Sequence, residues 1–239
     1  MLYLIGLGLD AEGISQQGLE IAKRCKKIYL EGYTVDFPYS VGQIKKLIGK
    51  KFISADRELV ESLAIVDEAR KKDVALLIYG SPLTATTHIT LLEEAKNSGV
   101  KCRVIYAASI LDAVAETGLQ LYKFGKITSM PKWDEEKNFT PSSFIEIIKE
   151  NQSIKAHSLI LVDIGLRLHK AIEQLLKANT EIIKLNKILV CSKLGTKHAK
   201  IYYDDVENLK NKKIDFPYCL IIPGRLHFVE QEFLKRFED

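Results

Sequence analysis

Apolar positions along this chain follow two rhythms, and the rhythms take turns. Leu2–Ile5 is a short apolar run that predicts a strand, followed by a glycine-rich turn. Ser15 can cap a helix that sets Leu19, Ile21 and Ala22 on one face. Ile28–Leu30 predicts a second strand, Val41–Ile48 a short helix ending at Gly49, and Lys51–Ser54 a brief strand. Asp56 is placed to cap a helix over Arg57–Lys72 with Leu59, Leu63, Val66 and Ala69 as its stripe. Asp73–Tyr79 is apolar on both faces, as a strand at the centre of a parallel sheet must be. After Gly80-Ser81-Pro82 a helical pattern runs to about Asn97 and closes at Gly99, and Lys101–Tyr106 predicts another strand. Strands and helices in alternation predict an α/β fold with a largely parallel sheet covered on both faces.

The second half keeps the alternation but spaces its strands more widely. Leu111–Gly118 predicts a helix leading across from the first half. Thr140-Pro141 joins a capping hydroxyl to a proline suited to the first helical position. Ser158–Ile164 is a buried strand, followed by a helix from about Arg167 to Ala178. Lys187–Ser192 and Tyr218–Ile222 are further strands, and Glu230–Phe237 is a closing helix. A mixed sheet is expected here. The division falls into two domains, residues 1–110 and 111–239.

Composition narrows the possibilities. The chain has 239 residues and is 46% hydrophobic, an ordinary globular value. Its net charge of +4 is shared evenly, with +2 on either side of Ser109. No basic half or tail is set aside, so no nucleic-acid partner is expected. Lysines number 28 against 7 arginines, a balance that suits solubility better than bidentate phosphate gripping. No apolar run nears the roughly 20 residues that span a bilayer, and the N-terminus has neither a basic region nor a cleavage site, so neither membrane nor signal peptide is expected. Cys25, Cys102, Cys191 and Cys219 are scattered and read as reduced thiols of a cytoplasmic protein. The five histidines show no metal spacing; His88 and His227 are the two that suggest a site.

The glycines carry the first chemical hint. Gly6-Leu7-Gly8-Leu9-Asp10-Ala11 has the G-x-G-x-x-A form of a dinucleotide loop, with Glu31 at the end of the next strand. Yet Gly13 and Ser15 place the helix start late, and Asp10 and Glu12 bring negative charge where a pyrophosphate would sit. The loop reads first as a turn for some other ligand, second as a plain turn and third as a nicotinamide-dinucleotide site. Three more strand-following segments are built of small, weakly charged residues: the stretch from Gly80 to His88, Ala107–Ile110, and Lys193–Thr196. With Val162-Asp163-Ile164-Gly165 they suit a flat, largely neutral ligand held by backbone groups at strand ends.

Taken together, these segments resemble the diphthine synthases, a family with the tetrapyrrole-methylase fold. The opening Leu2-Tyr3-Leu4-Ile5-Gly6-Leu7-Gly8-Leu9, the stretch Glu31-Gly32-Tyr33-Thr34 and the run from Pro82 to His88 are similar to that family. So are the run from Gly118 to Gly125 (GLQLYKFG), Leu161-Val162-Asp163-Ile164, and the run from Ile222 to Glu230 (IPGRLHFVE). The resemblance implies two α/β domains with S-adenosylmethionine in the cleft between them. It implies transfer of methyl groups to the amino group of a modified histidine on translation elongation factor 2, by a cytoplasmic homodimer. It carries cofactor contacts to Leu9, Ser81, Thr84, Ser109, Ile110, Val162, Leu194 and Tyr218 and names no catalytic residue. Ser81 stands where the family's loop has an acid, Lys193 where arginine is common, and Tyr218 where histidine is common. A tetrapyrrole or small-molecule methyltransferase of the same fold, a nicotinamide-dependent oxidoreductase and a binding module without cofactor are the alternatives.

Overall fold

The computed structural model describes residues 1–180 and 183–238. The chain divides into two units, Met1–Ala113 and Val114–Asp239. In the first, β1 (Leu2–Gly6), β2 (Lys27–Glu31), β3 (Ile53–Ala55), β4 (Val74–Ile78) and β5 (Cys102–Ile105) form a five-stranded sheet. Its order is β3-β2-β4-β1-β5 and every pairing is parallel. The chain steps outward from β1 past β4 to β2 and β3, then returns to β4 and β5. Right-handed crossovers send the helices of these two legs to opposite faces.

Alternate side chains of each strand therefore meet different helices. On one face α1 (Gln16–Arg24) and α2 (Val41–Ile48) pack with Tyr3, Ile5, Ile28, Leu30 and Leu77. On the other, α3 (Arg57–Glu61), α4 (Ala64–Ala69) and α5 (Ile89–Asn97) pack with Leu2, Leu4, Tyr29, Val74 and Leu76. The unit closes with α6 (Ile110–Ala113). Ser15 caps α1 as expected, its Oγ accepting the Gly18 N–H at 3.1 Å, and Gly49 ends α2 at φ 71°.

Two expected helices differ from the pattern. The helix expected over Arg57–Lys72 breaks at Leu63, whose φ is 62°. The break turns the second piece so that Ile65 and Val66, neighbours in sequence, both enter the core, while Leu59 and Leu63 stay partly exposed. The helix expected just after Pro82 starts only at Ile89, because Ser81–His88 folds as turns. The Thr84 N–H donates to the Ser81 carbonyl at 3.1 Å and the His88 N–H to Thr86 Oγ1 at 3.4 Å, local bonds that compete with a helix.

The second unit holds β6 (Thr128–Met130), α7 (Ser143–Ser153), β7 (Ser158–Val162), α8 (Leu168–Ala178), β8 (Lys187–Ser192), β9 (Lys200–Asp205), α9 (Val206–Lys210), β10 (Tyr218–Ile222) and α10 (Phe228–Leu234). The sheet runs β6-β7-β10-β8-β9, with β6 parallel to β7 and the other pairs antiparallel. Phe144, Ile148, Ile172, Leu175, Val190 and Leu220 are among its core residues. Thr140-Pro141 lies before α7 rather than opening it; the Pro141 carbonyl accepts the Trp133 indole N–H at 2.9 Å. The stretch expected as a helix over Leu111–Gly118 is the end of α6 followed by a 3₁₀ turn, Val114–Thr117. β9 went unread because it is a half-exposed edge strand with two tyrosines and two aspartates. Among the described residues no helix is long and apolar enough to cross a membrane.

Candidate functional site

The carboxyl ends of β4 and β1, neighbours in the first sheet, are joined through backbone bonds rather than side chains. The Leu7 N–H donates to the Ile78 carbonyl at 2.8 Å, and Gly8 and Gly80 exchange N–H···O bonds of 3.1 and 3.0 Å. Gly6 and Gly80 do opposite work here. A Cβ on Gly6 would lie 2.6 Å from the Gly80 carbonyl oxygen, so Gly6 lets the loops close. A Cβ on Gly80, at φ 68°, would meet nothing nearer than 3.9 Å, so Gly80 keeps an opening beside Ala108 and Ser109. Five of the residues singled out from the sequence lie at this edge. Leu9 is buried behind the bridge, and Ser81 and Thr84 are partly exposed beyond Gly80. Ser109 donates its N–H and Oγ–H to Asp112 Oδ2 at 2.7 and 2.9 Å, which fixes the turn into α6 and Ile110. Asp112 was missed, although Ser-x-x-Asp is a readable capping signature.

His88 is buried and anchors the Ser81–His88 turns from beneath. Its Nδ1 lies 3.2 Å from the Pro82 carbonyl, which can only accept, so Nδ1 carries the proton. Nε2 is then free to accept from the Tyr33 hydroxyl at 3.4 Å. Burial lowers the imidazole pKa and keeps the ring neutral. Glu31, fully buried, accepts the N–H groups of Tyr33 and Thr34 at 3.2 and 2.9 Å and the Thr34 hydroxyl at 2.9 Å. That carboxylate closes its own turn and has no face left for a ribose. α1 also starts eight residues beyond Gly8, so no helix N-terminus meets the glycine loop. The nicotinamide-dinucleotide reading fails on both counts.

The second unit has an edge of its own. β10 runs antiparallel to both neighbours, so its first residue lies beside their last ones. Tyr218 pairs with Ser192, and Leu161 pairs with Cys219, which places Val162 at the same edge. The Lys193 N–H donates to the Pro217 carbonyl at 2.9 Å, holding the turn that buries Leu194. The Tyr218 hydroxyl donates to the Leu166 carbonyl at 2.8 Å, and burial pushes its pKa up, so the phenol stays protonated. Val162, Leu194 and Tyr218 thus share one sheet edge.

At the other end of β10 lies a cluster the sequence did not reveal. Glu230 is fully buried and accepts the Gln120 N–H at 2.9 Å, the His227 N–H at 2.7 Å, the Lys123 ammonium and the His157 ring. His157 accepts the Gly224 N–H on Nδ1 at 2.9 Å, so Nε2 bears the proton and donates to Glu230 at 3.1 Å. Burial pushes the Glu230 carboxyl up, but its four donors outweigh that and hold it at about 2. Three glycines make the approach possible. A Cβ on Gly118 would fall 2.2 Å from the Phe233 ring, one on Gly125 2.1 Å from Asn151 Oδ1, and one on Gly224 2.4 Å from the Ala156 carbonyl. The runs from Gly118 to Gly125 and from Ile222 to Glu230 are therefore one structural knot. His227, suspected from sequence, is its helix cap: Nδ1 accepts the Val229 N–H at 3.4 Å.

The model of the tetrapyrrole (corrin/porphyrin) methylases matches residues 1–210. The protein named "Probable diphthine methyl ester synthase" of Arabidopsis thaliana is 36% identical, with 100% of this chain and 98% of that protein covered. The diphthine synthase of Methanococcus maripaludis is also 36% identical, over 98% of each chain. The chain belongs to the diphthine synthases. A crystal structure of a diphthine synthase superposes with a TM-score of 0.91 at 32% identity, over 100% of this chain and 96% of that one. This membership makes the chain a methyltransferase and gives the two sheets their counterparts in a solved member of the family. It also sets the tetrapyrrole reading aside, since the relatives just described are diphthine synthases over nearly their full length.

Proposed function

We propose that this protein uses S-adenosylmethionine to methylate the amino group of the aminocarboxypropyl-histidine of translation elongation factor 2, a step of diphthamide synthesis. The full-length similarity to diphthine synthases carries this reading. The cofactor contacts proposed are Leu9, Ser81, Thr84, Ser109 and Ile110 in the first unit and Val162, Leu194 and Tyr218 in the second.

The chemistry of the first edge fits that group. Between Gly80 and His88, and again between Ala107 and Ile110, there is no lysine or arginine to grip a phosphate. What is offered is apolar surface at Ile110, the Ser81 and Thr84 hydroxyls, and the side-chain-free opening at Gly80. Such a lining suits a nucleoside and an amino-acid moiety better than a phosphate chain. When bound, S-adenosylmethionine supplies a methyl group on positively charged sulfur. The chain's part is to orient and to exclude water. Asp112 sets the Ser109 turn, His88 holds the Ser81–His88 turns, and the Gly8–Gly80 bridge fixes the spacing of the loops. The accepting amine must be neutral before it can attack, and no side chain of this structure is assigned to take its proton.

The test is methylation of elongation factor 2 carrying the aminocarboxypropyl-histidine, read by mass spectrometry. Mass increments of methyl groups on that histidine are expected, and mild alkaline hydrolysis separates a methyl ester, which is cleaved, from methylated nitrogen, which is not. An unmodified factor, or no binding of S-adenosylhomocysteine, overturns the reading.

A further inference from the structure

We propose that the far end of the second unit, beyond β10, is a docking surface for an acidic, apolar-flanked segment of the elongation factor. The proposal rests on the reading above for the partner's identity, but on separate observations for the place. A cavity of about 620 Å³ opens there between the two motif runs and the turn after α7. Large side chains crowd its rim and project into solvent. Tyr122 is 82% exposed, Phe228 74% and Ile154 70%, and Val229 on α10 is 51% exposed. Exposed aromatics gathered at one place, rather than scattered, mark protein contact sites.

Charge selects the occupant. Lys123, Lys155 and Arg225 line the cavity, and none of its lining residues is acidic. Lys123 is neutralised by Glu230, which leaves Lys155 and Arg225 as the exposed cations. A second copy of this chain seated by a two-fold would bring these cations against each other, a costly juxtaposition. A segment with carboxylates between apolar anchors meets both features. The Glu230 knot gives the surface rigidity, since Lys123 and the Arg225 carbonyl are hydrogen-bonded at 2.8 Å and Glu230 ties both motif runs together. The surface also lies at the opposite end of β10 from Tyr218, at about 3.3 Å per residue over five residues. Its loss should weaken capture of the protein substrate without touching cofactor binding.

The experiment compares wild type with Arg225→Glu and with the double variant Tyr122→Ala, Phe228→Ala, all at exposed side chains. With elongation factor 2 carrying the aminocarboxypropyl-histidine, KM should rise at least tenfold and kcat stay within twofold. S-adenosylhomocysteine affinity and thermal midpoint should be unchanged. Arg225→Lys should recover most of the loss, and raising salt should raise the wild-type KM toward that of Arg225→Glu. Unchanged KM in both variants overturns the proposal. So does a shift in sedimentation from dimer to monomer, which would make the surface a contact between copies. Direct binding of the factor to wild type and variants is measured in parallel. Binding without methylation, lost in the variants, would sink the proposed reaction and keep the docking surface; no binding to wild type sinks the docking surface itself.

Discussion

The carboxyl edge of the first sheet and the far end of the second are held together by opposite means. At the first, Gly8 and Gly80 exchange backbone bonds, and the Asp112 carboxylate serves its own turn at Ser109. At the second, one buried carboxylate collects a lysine, a histidine and two backbone N–H groups. A backbone-built edge leaves room for a ligand and tolerates exchange of side chains, whereas a knot built on one ionised group has no substitute for it.

The contrast is sharpest for Glu230→Ala. Four donors, one of them the partly buried ammonium of Lys123, would lose their acceptor, at a cost of about 3–5 kcal/mol. A urea midpoint measures it, and a loss under about 1 kcal/mol would mean that the knot is not the anchor described. Glycine substitutions come next. Gly118→Ala combines φ 78° with a contact of 2.2 Å to Phe233 and should lose about 2 kcal/mol or more. Gly80→Ala meets only the left-handed strain, about 1 kcal/mol. Its larger effect is expected on S-adenosylhomocysteine affinity, at least tenfold by calorimetry, because the new methyl group fills the opening. Equal stability losses and unchanged affinity would erase the distinction between the two ends.

Acid should discriminate as well. The Glu230 carboxyl sits at about 2 in the fold against an ordinary 4.5. A depressed carboxylate stabilises the fold above its unfolded value, and that contribution is lost as pH falls from about 5 toward 2. Unfolding free energy measured across that window should decline in wild type and decline less steeply in Glu230→Gln. The smallest effect is assigned to Ser81→Asp. It introduces the acid that the resemblance places in this loop and should raise S-adenosylmethionine affinity a few-fold, with a thermal midpoint that does not move.

The parallel sheet is legible because its central strands are short apolar runs and because α1 and α3 open at local caps, Ser15 and Asp56. The backbone bridge at Gly8 and Gly80 is legible too, since small residues after strands are a local signal. What escaped were features made of distant residues. Gln120 and Lys123 meet Glu230 across 110 and 107 positions, and His157 meets it across 73. Nothing near Glu230 in the chain announces partners that far away; the capping box with His227 is all that shows locally. The break at Leu63 escaped for a related reason, because the periodicity there continues through a residue whose backbone turns left-handed.

The strand order of the first sheet bears on how the chain is made. β1 finds its neighbours only in β4 and β5, with Leu2 paired to Val74 on one side and Cys102 on the other. A nascent chain leaving the ribosome can pair β2 with β3 early, but its first strand waits unpartnered until residue 78 has emerged, and stays half-partnered until residue 105. During that interval the apolar run of Leu2, Tyr3, Leu4 and Ile5 has no strand to cover it and is open to whatever chaperone meets it.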